Sequence, residues 1–476
     1  MLATLVAAWH WLLAIPNLGV YLTVGWAAYL VGLGSWIVLQ KREPAATMSW
    51  LLGLALLPYV GFIIYHYLGP QRITRHRIRR ARSRAPKLSA TTPGDLIARE
   101  LSRLGVSTTS LPPTTATDVR LLLDGGAKYT ALLEDVAKAQ HSIDVEYYIF
   151  LADRTGTALR DALIERAAAG VQVRLLLDAV GSAKTKSRFF DPLLEAGGQF
   201  SWFHPMRLGR FWRRPWLNMR THRKIVVIDG CIGYTGGINV TDEEDERLRS
   251  DAYRDVHVRV EGEVTRALQA VFVEDWAYAT GHPPVMPPAP AFATGDYPVQ
   301  VVASGPDSPW EAIHRLHVGA IHSAQRRVWL TTPYFVPGEA AMMALTSAAL
   351  GGLDVRLLVP KMSDSKLVTY AARSYFDDLL AAGVRVYEYG PRLLHSKTLL
   401  VDDTLAIIGS ANFDHRSFRL NFEVSLLFHD ARVASELERV IELDFALAPR
   451  VRDDRARPLW RSRLPEALAR LVSPLL

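Results

Sequence analysis

His222-Arg223-Lys224-Ile225-Val226-Val227-Ile228-Asp229 is followed by Gly236-Gly237-Ile238-Asn239, and His395-Ser396-Lys397-Thr398-Leu399-Leu400-Val401-Asp402 by Gly409-Ser410-Ala411-Asn412. Both stretches read H-x-K-x4-D and then G-x-x-N at one offset. At this chain's composition the first pattern is expected by chance about 0.02 times. Two copies therefore mark a duplicated domain. The run after each lysine is apolar and largely β-branched, which predicts a buried strand. In an extended strand residues i and i+2 share a face, so each copy would offer an imidazole beside an ammonium.

The flanking sequence repeats as well. Ile143–Phe150 reads as a strand, Thr157–Ala169 as an amphipathic helix ended by Gly170, and Val171–Leu177 as a strand. Later come a strand at Val328–Phe335, a helix at Glu339–Leu350 and a strand at Asp354–Val359. Strands alternating with helices predict an α/β fold, each repeat a mixed, mostly parallel sheet flanked by helices. We expect the repeats, 116–285 and 299–476, to pack about a pseudo-twofold, joined by the Pro-rich linker 286–298.

Such packing would bring two imidazoles and two ammoniums into one pocket complementary to a phosphodiester. Lys224 and Lys397, with Asn239 and Asn412, would hold the non-bridging oxygens. One of His222 and His395 would attack phosphorus and the other would serve as acid and then base. Lysine supplies the positive charge, so no metal and no cofactor is expected. A working imidazole needs its second nitrogen oriented by an acceptor. Asp255 (33 after His222) and Glu423 (28 after His395) stand in matching places for that task. Asp229 and Asp402 complete the candidate catalytic set; at the strand end they could instead cap the following turn or hold the lysine.

The 476 residues are 49% hydrophobic and 22% charged, with one cysteine, Cys231, so an intramolecular disulfide framework and a thiolate-rich metal site are excluded. The net charge of +7 is uneven. Residues 1–94 hold ten cations and one acid, and the rest 45 cations and 47 acids, so the body is close to neutral. That argues against nucleic acid as a partner. Residues 1–40 and 45–68 carry no Asp, Glu, Lys or Arg. Pro16-Asn17 divides the first run, leaving Leu18–Leu39 as one expected membrane span and 45–68 as a second. Residues 1–70 are thus expected as a two-helix anchor and 71–115 as a basic juxtamembrane linker. Eight cations between Arg72 and Lys87, with no acid, place the body on the cytoplasmic side. Arg207–Arg220, an insertion without counterpart before His395, mixes arginine with aromatic residues. Arg210, Trp212, Arg213, Arg214 and Trp216 are expected to touch lipid at the pocket mouth. The tail from Arg450 predicts a basic amphipathic helix, interfacial or packed on the domain.

The two motifs resemble those of the phospholipase D superfamily. Glu43-Pro44, Pro58-Tyr59-Val60-Gly61, Asn412-Phe413-Asp414, Arg416-Ser417-Phe418, Leu420-Asn421-Phe422-Glu423 and the closing Ser473-Pro474-Leu475-Leu476 narrow the resemblance to bacterial membrane-anchored cardiolipin synthases. The resemblance implies a multi-pass protein of the bacterial inner membrane. It implies phosphatidyl transfer between two phosphatidylglycerols through a phosphohistidine, giving cardiolipin and glycerol. By the same analogy His222 is the nucleophile and His395 the acid/base. The alternative is a phospholipase D-type hydrolase with water as acceptor. A homo-oligomer is left open.

Overall fold

The computed structural model describes residues 16–39, 44–57, 60–61, 65, 96–205, 218–282, 286, 292–308 and 310–473. The chain divides into an N-terminal unit that runs to Gln71 and a larger unit that holds both repeats.

In the N-terminal unit α1 (Leu18–Leu39) is 22 residues long, the one described helix long and apolar enough to cross a membrane. At about 1.5 Å per residue it reaches about 33 Å, the thickness of a bilayer core. The second expected span is described only in part. α2 (Pro44–Leu56) has 13 residues, too few to cross alone, and 58–59, 62–64 and 66–68 lie outside the described residues. Ile37, Leu54 and Tyr65 form a small core between these helices. Residues 1–15, the basic stretch 71–95, Arg210, Trp212, Arg213, Arg214 and Trp216, residues 287–291 of the expected Pro-rich linker, and Pro474–Leu476 also lie outside the described residues.

The larger unit begins with α3 (Leu96–Thr109) and β1 (Thr114–Ala116). The first repeat then runs β2 (Asp118–Leu123), α4 (Asp124–Lys138), β3 (Ser142–Tyr147), α5 (Arg154–Ala168), β4 (Gln172–Asp178) and β5 (Gln199–Phe203). It closes with β6 (Ile225–Ile228), β7 (Ile232–Gly236), β8 (Val256–Glu261) and α6 (Val264–Thr280). The second runs β9 (Tyr297–Ser304), α7 (Ala312–Ser323), β10 (Arg327–Thr331), β11 (Phe335–Val336), α8 (Glu339–Leu350), β12 (Asp354–Pro360), α9 (Lys366–Arg373) and β13 (Arg385–Tyr389). It closes with β14 (Thr398–Val401), β15 (Leu405–Gly409), β16 (Phe413–Asp414), β17 (Glu423–His429), α10 (Ala431–Ala446) and α11 (Leu464–Val472).

The first sheet is ordered β2-β8-β7-β6-β3-β4-β5 and the second β1-β9-β17-β15-β14-β10-β12-β13. Without the edge strand β1 the two orders correspond strand for strand. The expectation of mostly parallel sheets is corrected. Only β3-β4-β5 and β10-β12-β13 run parallel, and every other pairing in the two large sheets is antiparallel. The reason is local: three-residue turns after Ile228 and Val401 send the chain straight back, and only strands joined through a helix can run parallel. The stretch 71–115 is not all linker, since β1 pairs with β9, and α3 packs on α7 and β9 of the second repeat.

Alternation along the motif strands sets the core. Val227 and Leu400 point into an apolar layer that both sheets share, with Val258, Val299, Leu268 and Leu426. Val226 and Ile228 face the outer core of the first repeat, Leu399 and Val401 that of the second. The shared layer joins the repeats, and this brings the two motif ends together.

Candidate active site

The regular strands start at Ile225 and Thr398, so each His-x-Lys segment lies just before its strand rather than within it. There it meets the other repeat. The His222 amide donates to the Phe422 carbonyl (2.9 Å) and the Phe422 amide to the Arg220 carbonyl (2.8 Å). The His395 amide donates to the Arg254 carbonyl (2.7 Å) and the Arg254 amide to the Leu393 carbonyl (2.8 Å). These two short parallel bridges, Thr221 to Phe422 and Arg254 to Leu394, satisfy backbone groups that neither sheet reaches.

The bridges carry the next residues with them, and the carboxylates cross over. His222 Nδ1 lies 3.1 Å from the Glu423 carboxylate, and His395 Nδ1 lies 2.7 Å from Asp255 Oδ2. Each imidazole is therefore oriented by an acid of the opposite repeat, not by the one downstream in its own. An ionised carboxylate only accepts, so Nδ1 carries the proton and Nε2 keeps its lone pair. Glu423 is held in turn by the Ser410 hydroxyl and by Asn421 Nδ2 (3.2 Å). In the first repeat the place of Ser410 is taken by Gly237, where a Cβ would come within 2.3 Å of both Asp255 oxygens.

His222 and His395 line one cavity of about 430 Å³, with Asn239, Asn412, Tyr148, Tyr253, Glu244 and Arg416. Tyr148 packs edge-on to the His222 ring at 5.0 Å, and Tyr253 lies 5.6 Å from that of His395. Lys224 and Lys397 are buried beneath the histidines, each donating to the carbonyl of its own motif histidine. Lys397 Nζ is 3.6 Å from Asp255 Oδ2.

Burial lowers both lysines and brings Lys224 down to about 7, against the pull of Glu423. Burial also lowers His222, with Glu423 opposing, and drives His395 well below its usual value together with Lys397. Burial raises Asp255 to about 6, with Lys397 opposing; at Glu423 burial pulls the same way, but His222, Lys224 and the Ser410 hydroxyl together outweigh it and lower the carboxyl. Both imidazoles are thus neutral at neutral pH. Lys224 should lose its proton as pH rises through about 7 in the empty cavity, and anion affinity should fall with it. Dimethyl phosphate, whose single charge does not titrate in this range, should bind at least about fivefold more weakly at pH 8.5 than at pH 6. Calorimetry checks this, and equal affinity at both values would refute it.

Asn239 and Asn412 both reach the cavity, but differently. Asn239 Nδ2 donates to Glu244 (2.7 Å) and its Oδ1 accepts from the Ile149 amide (3.3 Å), which leaves one amide hydrogen for a ligand. Asn412 Oδ1 is buried without a hydrogen-bond partner. Glu244 was not among the expected residues. It also accepts from the Asn239 amide and lies 4.0 Å from His395 Nδ1. Its counterpart at the same offset is Ser417, whose Oγ accepts from the Asn412 amide (3.1 Å). Among the described residues Glu244, Asp255 and His395 are grouped closely enough to hold a metal ion. The adjacent Lys397 ammonium offsets part of that negative charge.

Asp229 and Asp402 are corrected. Neither lines the cavity. Asp229 accepts the amides of Gln140, His141 and Ser142 at 2.7–2.8 Å, and Asp402 those of Gln325, Arg326 and Arg327 at 2.8–3.0 Å. Both sit at φ near 50°, which aspartate tolerates better than most residues. They tie the far end of the motif strand to the start of its neighbour and hold neither the lysine nor the following turn. Asp402→Ala should therefore cost about 2–4 kcal/mol of stability while the folded fraction keeps its activity within about tenfold. Denaturant unfolding beside activity per folded molecule checks this.

The family model described as "Cardiolipin synthase, PLD-like domain" matches residues 132–276 and 318–444, and "Phospholipase_D-nuclease N-terminal" matches 27–70. The chain is 40% identical over 461 residues to a cardiolipin synthase of Geobacillus thermodenitrificans (strain NG80-2), covering 92% of this chain and 91% of that protein. It is 36% identical over 502 residues to cardiolipin synthase 1 of Bacillus anthracis, covering 100% and 98%. Among solved structures, phosphatidylserine synthase of Haemophilus influenzae Rd KW20 has the same fold, with a TM-score of 0.61 at 14% identity over 79% of this chain and 100% of that one. With both halves of the duplicated domain matched and identity maintained along the whole chain, this protein belongs to the cardiolipin synthase family of phospholipase D-like proteins.

Proposed function

We propose that the protein is a cardiolipin synthase, a phosphatidyltransferase that joins two phosphatidylglycerols into cardiolipin and releases glycerol. The observation that carries this reading is the reciprocal pair of histidine–carboxylate contacts opening on one cavity, in a chain so similar along its length to cardiolipin synthases. His222 Nε2 attacks phosphorus while Nδ1 keeps its proton and donates it in a hydrogen bond to the Glu423 carboxylate. Lys224, Lys397 and the amides of Asn239 and Asn412 take the charge on the non-bridging oxygens. His395 gives a proton to the departing glycerol oxygen as the P–O bond breaks, leaving a phosphatidyl-histidine. Burial and the lysines hold His395 neutral in the free protein; the negative charge of the bound phosphodiester opposes both, and His395 takes a proton from solvent on Nε2 as the lipid binds. His395 then takes a proton from the hydroxyl of the second phosphatidylglycerol, whose oxygen displaces His222.

Two relations belong to this reading. The matching strand orders and the reciprocal contacts support a pseudo-twofold between the repeats. The charge-free run 45–68 and the cations after it support a second span and a body on the cytoplasmic face, and Arg210–Trp216 a lipid contact at the mouth. Purified protein incubated with phosphatidylglycerol in mixed micelles should yield the four-chain lipid and free glycerol. Phosphatidate as the main product would instead establish the hydrolase reading.

A further inference from the structure

The tail forms a C-terminal helix, α11, that packs on the domain by one face. Ala469 and Ser473 are buried, with Ser473 Oγ 3.1 Å from the Tyr375 hydroxyl, while Arg470 bonds the Ser374 carbonyl and Asp378. That face packs on α9. The opposite face carries Leu464, Leu468 and Leu471 at spacings of four and three, and Trp460 stands on the π-helical turn (Leu459–Arg463) that leads into the helix. This apolar surface is uncovered: Trp460 is 77% and Leu471 76% exposed. The exposed Arg461 and Arg463 flank it, and Glu466, the acid of this segment, is buried against Arg457.

The support under this helix is a wall of the catalytic cavity. Val368 of α9 and the preceding Ser365 line the cavity, while Lys366 and Leu367 of the same turn are exposed. We infer that α11 with the outer turn of α9 is a docking surface for an anionic lipid bilayer, which sets the cavity mouth against the headgroups. Apolar side chains flanked by unopposed cations fit acyl boundary and anionic headgroup together. A second copy of this chain fits poorly, because a symmetric contact would press Arg461 and Arg463 against their own equivalents.

The test uses the full chain reconstituted in vesicles, with Cys231→Ser and Leu468→Cys carrying an environment-sensitive fluorophore. With phosphatidylglycerol present the emission should shift to the blue and be quenched by spin-labelled lipid, and the shift should shrink in vesicles of phosphatidylcholine alone. A solvent-like emission that aqueous iodide quenches in both vesicles would overturn the proposal. So would a blue shift that follows protein density and not lipid charge, the sign of a second copy. In parallel, Leu468→Glu with Leu471→Glu should lower transfer on vesicles about tenfold and leave mixed-micelle transfer within about twofold. Unchanged vesicle transfer, or equal loss in both, would count against it. The fluorophore reports docking whether or not cardiolipin is made, so this inference and the proposed function fail separately.

Discussion

His222→Ala and His395→Ala should each lower phosphatidyl transfer at least about 10⁴-fold, because neither the covalent step nor the proton transfer has a substitute in the cavity. The two variants should differ in what remains. With a p-nitrophenyl ester of phosphatidic acid the leaving group needs no acid. His395→Ala should then still accumulate a phosphatidyl adduct, detectable as a mass increase on the peptide that carries His222. His222→Ala should accumulate none. An adduct on His395 in the His222→Ala protein would reverse the assigned roles, and transfer surviving in either variant would refute the covalent scheme.

The next largest effect is expected from the crossed carboxylates. Glu423→Gln and Asp255→Asn keep size but present the imidazole with an amide that can also donate, and each should cost about 10²–10⁴-fold in transfer. Because Glu423 contacts His222 and Asp255 contacts His395, the activated ester separates them too. Asp255→Asn should regain most of its loss with p-nitrophenolate as leaving group, since its histidine is then not needed as acid. Glu423→Gln should not, since its histidine must still attack. The opposite pattern would mean that each acid serves the histidine of its own repeat.

That crossing shows where the sequence stops being readable. The duplicated H-x-K motif, its buried strand and the acid downstream of each histidine are local patterns, and a chain of covalent bonds carries them unchanged into the fold. The partner of each histidine is not local. It depends on the shared apolar layer that aligns the motif ends and on the two backbone bridges at Thr221–Phe422 and Arg254–Leu394. One acid lies downstream of each histidine, 33 and 28 residues on, which left the pairing open, and only packing could assign it.

Strand direction failed for a related reason. A strand buried on both faces has the same composition whichever way it runs, and Ile225–Ile228 is buried at every position although it is antiparallel to both neighbours. Glu244 went unseen because the repeat comparison looks for likeness, and at that offset the second copy has Ser417.

By itself, then, the amino-acid order determined that the domain is doubled, that two imidazole–ammonium pairs exist, and that the N-terminus is apolar enough for a membrane. Each follows from residue type and spacing along the chain. Tertiary structure alone decided which acid orients which histidine, that Asp229 and Asp402 brace strands away from the chemistry, and that one face of the last helix is left bare. Those outcomes depend on distances between residues far apart in sequence, and such distances are set by how the two sheets share one core.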